Sequence, residues 1–362
     1  MAYEIPCWYM RGGTSKGPFF LARDLPSDTA LRDAVILAAM GSPDARQIDG
    51  LGGAHPLTSK IGILSLPTDG VADLDFLFAQ VGIAEGTVDT TPNCGNMLAA
   101  ALPAALEAGL LRGDEGTTTR RVRTLNTGVI AEIAVLTPGG TPTYDGVANI
   151  DGVPHPGSPI SCGFLDTAGS LTGSLLPTGN TRDVIDGVPV TLIDNGMPVM
   201  LIAAADVGVT GYESREELDA NTPLKARIEL LRLAAGPLMN LGDVSRKPVP
   251  KVTLVAAPRA GGALCTRTFI PHDCHAAIGV LGAVTVATAA VMKGSVAHDV
   301  AKLVDDVDHV RTLSIEHPTG EFSVELALDG DRVVRAALLR TARLLMRGGV
   351  PVSPSLWRGP RA

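Results

Sequence analysis

Apolar residues along the chain fall mostly into short runs with the period of two that marks strands. Ile5–Met10 and Pro18–Ala22 read as strands on either side of the polar turn 11–17, and Ile61–Leu66 and Leu74–Val81 follow. Arg120–Val135 alternates across a break at Asn126-Thr127-Gly128. Val188–Ala205 reads as two strands around Asp194-Asn195-Gly196, where Asn-Gly is a strong hairpin signal. Val252–Ala257, Ala263–Ile270, Leu313–Glu316 and Glu321–Leu328 complete the strands, and Val333–Leu345 closes the fold. Helical spacing covers fewer stretches. Asp28–Met40 carries a stripe of Leu31, Val35, Ile36 and Ala39, and Arg215–Leu233 reads as one amphipathic helix with Glu216, Glu217 and Arg227 on its wet side. Leu98–Leu106 and Val284–Met292 are apolar on all sides, which predicts buried helices. Pro103 falls inside the first of these, where it should kink or end the helix.

The two apolar helices align without gaps when Cys94-Gly95 is laid on Ile278-Gly279, which suggests an internal duplication with Cys in one copy and Ile in the other. A chain of 362 residues predicts two domains. The expected halves are 1–183 and 184–362, with the last strand crossing back to the first half. The 41 glycines and 26 prolines favour short strands and turns over long helices. A net charge of -8 argues against nucleic-acid binding, which needs clustered Lys and Arg. Five widely spaced cysteines with no CxxC point to a reducing cytoplasm rather than a disulfide framework. The first eleven residues hold no signal-peptide core, and no apolar run approaches the roughly 20 residues of a membrane span.

Candidate chemistry clusters at loop–element junctions. Pro92-Asn93-Cys94-Gly95-Asn96-Met97 puts a thiol where a helix begins, beside free N–H groups and the positive end of the helix dipole. A thiol there can be activated for proton transfer; the alternative is a buried structural cysteine. Arg11-Gly12-Gly13-Thr14-Ser15-Lys16-Gly17 offers hydroxyls, positive charge and close backbone approach, a cradle for carboxylate or phosphate that lacks Walker A spacing. A plain hairpin turn is its other reading. Lys60 stands at a loop–strand boundary beside an apolar strand. Free lysine holds its proton to about pH 10.4, and apolar surroundings make it a better base; a surface lysine is the alternative. His272, Cys274 and His275 lack a second ligand pair with zinc-like spacing, so no metal is expected.

Several motifs together resemble the PrpF-type isomerases, and among them the 4-oxalomesaconate tautomerases and isomerases of gallate and protocatechuate breakdown. These are Met10–Gly17, the Gly41–Gly50 loop, Leu57-Thr58-Ser59-Lys60, Asn93-Cys94-Gly95-Asn96, Ile193–Pro198, Met239–Val244 and His275–Ala283. The likeness runs from about Pro6 to Arg347. It implies an α/β (α+β) fold of two diaminopimelate-epimerase-like halves, each a curved sheet around a central helix, with the active site in the cleft between them. Epimerases of that fold use one cysteine from each half. Here the second position is Ile278, so the resemblance implies instead that Lys60 and Cys94 carry proton transfer without a cofactor. Cys274, four residues earlier, is the one residue that could restore a second thiol.

The substrate implied is an unsaturated polycarboxylate. Its expected contacts are Arg11, Gly12, Thr14, Ser15, Lys16, Ser59, Asn93, Gly95, Asn96 and Asn195, with Arg267, Ile278, Gly279 and His317 on the opposite wall. A 2-methylaconitate or aconitate isomerase of the same family, and a non-catalytic carboxylate-binding protein, stay open as readings. So does a homo-oligomer.

Overall fold

The structure, a computed structural model, describes residues 3–164, 167–303, 310–330 and 332–360. The chain divides into two compact units, Met1–Phe164 with Leu339–Ala362, and Leu165–Leu338.

The first unit opens with the hairpin β1 (Tyr3–Gly12) and β2 (Ser15–Leu21), then α1 (Thr29–Met40), β3 (Lys60–Ser65), β4 (Leu74–Val81) and the short β5 (Val88–Asp89). The helices α2 (Gly95–Ala99) and α3 (Ala101–Glu107) lead to β6 (Gly116–Thr124), β7 (Ile130–Thr137) and β8 (Ile160–Phe164). Along the sheet, β1–β2 is antiparallel, β2–β3 parallel, β3–β4 antiparallel, β4–β6 parallel, and β6–β7 and β7–β8 antiparallel.

The second unit holds β9 (Asp183–Ile185), β10 (Val188–Asp194), β11 (Pro198–Ala203), α4 (Arg215–Ala220), α5 (Thr222–Leu238), β12 (Lys251–Ala256) and β13 (Leu264–Phe269). Then come α6 (Val280–Val291), α7 (Val296–Val300), β14 (Val310–His317), β15 (Gly320–Asp329) and β16 (Arg332–Arg340). From β10 to β16 the pairings run antiparallel, parallel, antiparallel, parallel, antiparallel, antiparallel. This is the order found in the first unit, strand for strand, with a helix in each parallel crossover. The duplication suspected from two helices thus extends over the whole topology. The final strand, β17 (Ala342–Val352), pairs antiparallel with β1 and belongs to the first unit.

Each unit has an outer and an inner helix. In the first, Val35, Ile36, Ala39 and Met40 of α1 pack on Ile5, Cys7, Phe20, Ile61, Ile63, Ala79 and Val81. On the inner side, residues 97–105 of α2–α3 are buried without interruption, as are residues 283–290 of α6 in the second unit. A helix buried on all sides must be apolar on all sides. The buried Thr285 and Thr288 satisfy their hydroxyls on backbone carbonyls, Thr285 on Asn195 and Met197, Thr288 on Val284.

Two expected helices are each divided. The inner helix of the first unit breaks at Ala100, which places Pro103 in the first turn of α3. N–H groups of a first turn have no intrahelical acceptor, so the missing one costs nothing there. The stretch 215–233 breaks at Asn221, whose side chain accepts from Leu224 N and starts a new helix with Pro223 in its first turn. The closing stretch 333–345 likewise divides, at Thr341, into β16 and β17.

Arg232 on α5 is 0% exposed and spends all five N–H groups: bidentate on Glu229 at 2.7 and 2.8 Å, and on the carbonyls of Val244, Lys247 and Val249. Arg232→Met should lower stability by about 3 kcal/mol, since it strands a carboxylate and three carbonyls. Urea unfolding measures it.

Candidate active site

Strand alternation sorts the first unit's candidates by face. Ile61, Ile63, Ala79 and Val81 face α1, so Lys60, Gly62, Phe78 and Gln80 project to the other side. On β2, Phe20 faces α1, so Ser15, Gly17 and Phe19 share the side of Lys60, while Lys16 points away. That side carries α2, because Gly12 lies directly against it: a Cβ on Gly12 would collide with the Asn96 carbonyl and sit 2.9 Å from the Ala100 Cβ. Gly13 (φ +52) is equally tight against the Asn96 side chain, and Asn96 Nδ2 donates to Thr14 Oγ1 at 3.0 Å. The β1–β2 turn, the α2 start and Lys60 therefore occupy one face of one sheet.

Lys60 is 8% exposed. Its Nζ donates to Gln80 Oε1 at 2.6 Å and stands 4.9 Å from the centre of the Phe78 ring. Gln80 lies directly across the β3–β4 pair from Lys60. Its Nε2 donates to the carbonyls of Pro56 and Ser59 at 3.1 and 3.0 Å, which fixes the amide with its oxygen toward the amine. Gly17 is required here, because a Cβ would overlap the Lys60 carbonyl.

Cys94 is the N-cap residue of α2, with extended backbone and no side-chain cap. It is the half-buried cysteine; Cys7, Cys162, Cys265 and Cys274 are buried, and none of the five is in a disulfide. Burial pushes Cys7 up to about 12. Burial, with Asp219 nearby, pushes Cys274 up to about 11. Cys274 lies in the second unit's apolar core, so it does not restore the thiol missing at Ile278.

Helix caps set the two inner helices apart. Asp28, Ser214, Asn221 and Ser295 cap α1, α4, α5 and α7 through their side chains. The starts of α2 at Cys94 and of α6 at Gly279 have no side-chain cap, and a Cβ on Gly279 would meet nothing within 4 Å. First-turn N–H groups left without a cap are anion receptors.

The remaining candidates separate into positioning and free groups. Arg11 donates to the carbonyls of Gly13 and Thr341 and to Thr341 Oγ1, so it braces the turn. Burial, then Arg343, holds its pKa below the usual arginine range. Ser59 Oγ is within 2.7 Å of Gln47 Oε1 and 2.9 Å of the His55 carbonyl, which anchors the loop leading to Lys60. Ser15 is 1% exposed and its Oγ has no partner. Asn93 Nδ2 reaches Thr127 Oγ1 in the β6–β7 turn at 2.5 Å.

The second unit repeats the arrangement around α6. Its β10–β11 turn is tied down by Asn195, which donates to Thr288 Oγ1 at 2.9 Å and accepts from Thr167. Its β14–β15 turn holds His317, and Thr319 Oγ1 donates to the Ala276 carbonyl just before Ile278 and Gly279. Arg267 is buried and donates to the carbonyls of Glu213 and Thr266 and to Cys265 Sγ. Among the described residues no group of three His, Cys, Asp or Glu could hold a metal, and no helix is long and apolar enough to cross a membrane.

Gln80, Phe78 and Gln47 escape sequence reasoning. Nothing near Gln80 in the chain marks it; only the β3–β4 register puts it opposite Lys60.

Known proteins resemble this chain over nearly its whole length. The (4E)-oxalomesaconate Delta-isomerase of Novosphingobium sp. (strain KA1) is 58% identical over 96% of this chain and 97% of its own. The 4-oxalomesaconate tautomerase of Pseudomonas putida (strain KT2440) is 53% identical over 99% and 98%. The crystal structure of a methylitaconate-delta-isomerase matches with a TM-score of 0.86 at 34% identity, over 98% of this chain and 97% of that one. The chain is thus an α+β enzyme of the isomerase class. The PrpF protein family model spans residues 2–353, and the chain belongs to that family.

Proposed function

We propose that the protein is a cofactor-independent isomerase that shifts a proton along 4-oxalomesaconate, or a similar unsaturated tricarboxylic acid, in aromatic catabolism. The observation that carries the reading is the pairing, on one face of one sheet, of a buried Lys60 with the uncapped, Cys94-bearing start of α2. The names of the two relatives above supply the substrate.

In the forward step the Lys60 amine takes a proton from the carbon beside a carbonyl or carboxylate. The C–H bond breaks, an N–H bond forms, and the electron pair spreads into a dienolate. Cys94 delivers its thiol proton to the far carbon of the allylic system, and Lys60 returns the balance to Cys94 through substrate or water. Carboxylates of the substrate are held by the free N–H groups of Gly95 and Asn96, by Thr14 and by the unpartnered Ser15 hydroxyl. Within the second unit, the start of α6 at Gly279 is uncapped in the same way. Donors placed where dienolate charge develops supply the main rate enhancement. Five cysteines, none in a disulfide, suit a reducing compartment such as the cytoplasm.

The test is turnover in heavy water followed by NMR, with oxalomesaconate, 2-methylaconitate and 3-methylitaconate as parallel substrates. The expected result is deuterium at one allylic carbon of oxalomesaconate, at a rate at least tenfold above the other two acids. Faster conversion of a methylated acid would move the protein to the specificity of the 2-methyl-aconitate or 3-methylitaconate isomerases, relatives at 33% and 36% identity.

A further inference from the structure

We infer that Gln80 is the positioning residue that aims Lys60 and, being neutral, leaves its amine able to accept a proton. The inference rests on the proton-transfer reading of Lys60 and goes beyond it.

The geometry leaves Gln80 no freedom. Its Nε2 is held by two carbonyls, Pro56 and Ser59, which can only accept. Its Oε1 must then face Lys60 Nζ, at 2.6 Å. The amine nitrogen is tetrahedral. One direction is its own side chain, one is spent on Gln80 and one lies toward the Phe78 ring at 4.9 Å. Among the described residues no other hydrogen bond to the amine is found, and we assign the remaining direction to the substrate carbon. Lys60 can donate to Gln80 whether charged or neutral, because either form keeps an N–H for the amide oxygen.

The choice of an amide matters as much as its place. A carboxylate here would hold lysine as an ammonium ion by direct charge pairing. An amide oxygen accepts the same hydrogen bond without a counter-charge. The Ser59 carbonyl that anchors the amide belongs to the residue before Lys60, and the Ser59 hydroxyl is itself anchored on Gln47 and His55. The 47–59 loop, the Gln80 amide and the Lys60 amine form one connected chain of hydrogen bonds.

The test compares Gln80→Leu and Gln80→Glu with the wild type and with Lys60→Met, each checked for its thermal midpoint. Gln80→Leu frees the amine, and its kcat should fall at least tenfold with KM within twofold. Gln80→Glu keeps the shape and adds the counter-charge, and the acid side of its kcat–pH profile should move up by at least one pH unit. Both outcomes together support the inference. If Lys60→Met is inactive while both Gln80 variants keep wild-type kcat and pH profile, the inference is overturned and the reading of Lys60 stands. If both variants lose activity only in proportion to lost folded protein, with no movement of the pH profile, Gln80 is structural and the inference is again overturned. Full activity in Lys60→Met removes the reading and the inference together.

Discussion

Lys60→Met should fold, bind the acid and turn it over at least a hundred times more slowly, within the 10²–10⁴-fold that a positioned acid–base group contributes. Methionine matches the length and apolar stem of lysine, so the β3–β4 pairing and the packing on Phe78 survive. What disappears is the Lys60 amine, buried beside the Phe78 ring. KM should change little, because the proposed carboxylate contacts lie at Thr14, Ser15 and the α2 start. Cys94→Ser should show a loss of similar size. Serine is close to cysteine in size but holds its proton far more tightly than a thiol. Steady-state kinetics of the two single variants and the double variant give the coupling. Two groups acting as one proton relay predict a double variant no slower than the worse single one. Additive losses would mean that each acts alone.

Gly12→Ala has the second largest expected effect, and it acts through packing. A methyl group on Gly12 would overlap the Asn96 carbonyl and press on the Ala100 Cβ at 2.9 Å. Both neighbours are backbone or backbone-anchored atoms of the buried α2–α3 segment, so neither can yield without moving the helix start. Overpacking of this kind costs about 1–3 kcal/mol. The catalytic cost should be larger, because a helix start pushed off by a fraction of an ångström carries Cys94 and its free N–H groups with it. A displacement of about 1 Å can cost a hundredfold in rate. Unfolding curves and kcat, measured together, should show a modest stability loss beside a disproportionate loss of turnover. Equal, proportionate losses would mean that the turn supports the fold and nothing more.

The residues on which the proposed site rests stand out in the chain. Glycine at residues 12 and 13, a thiol at a loop-to-helix junction and a lysine entering an apolar strand are local patterns, readable wherever neighbours in sequence are neighbours in space. For other candidates the structure adds partners or a position that the chain does not show. Arg11 and Arg267 read as anion receptors, and part of each guanidinium is already spent on carbonyls of the fold. Ser59 has its hydroxyl engaged by the loop, and Lys16 lies on the far side of the sheet from Ser15. A charged or hydroxylated side chain shows what it can bind, and only its surroundings show what it has already bound. The break at Ala100 answers the oddity of Pro103, since a proline forbidden within a helix is at home in its first turn.

By itself, then, the sequence determined the periodicities, the two wholly apolar helices, the duplication hinted by their alignment and the residue types able to move a proton. Tertiary structure alone decided which partners those residues meet. Gln80 faces Lys60 from 20 positions away, and Thr341 braces Arg11 from 330. Such pairings depend on strand register and on the return of β17 to β1, where a slip of one residue turns every side chain to the opposite face. Local propensity carries no record of that register, because it is settled by the collective burial of both faces of the sheet.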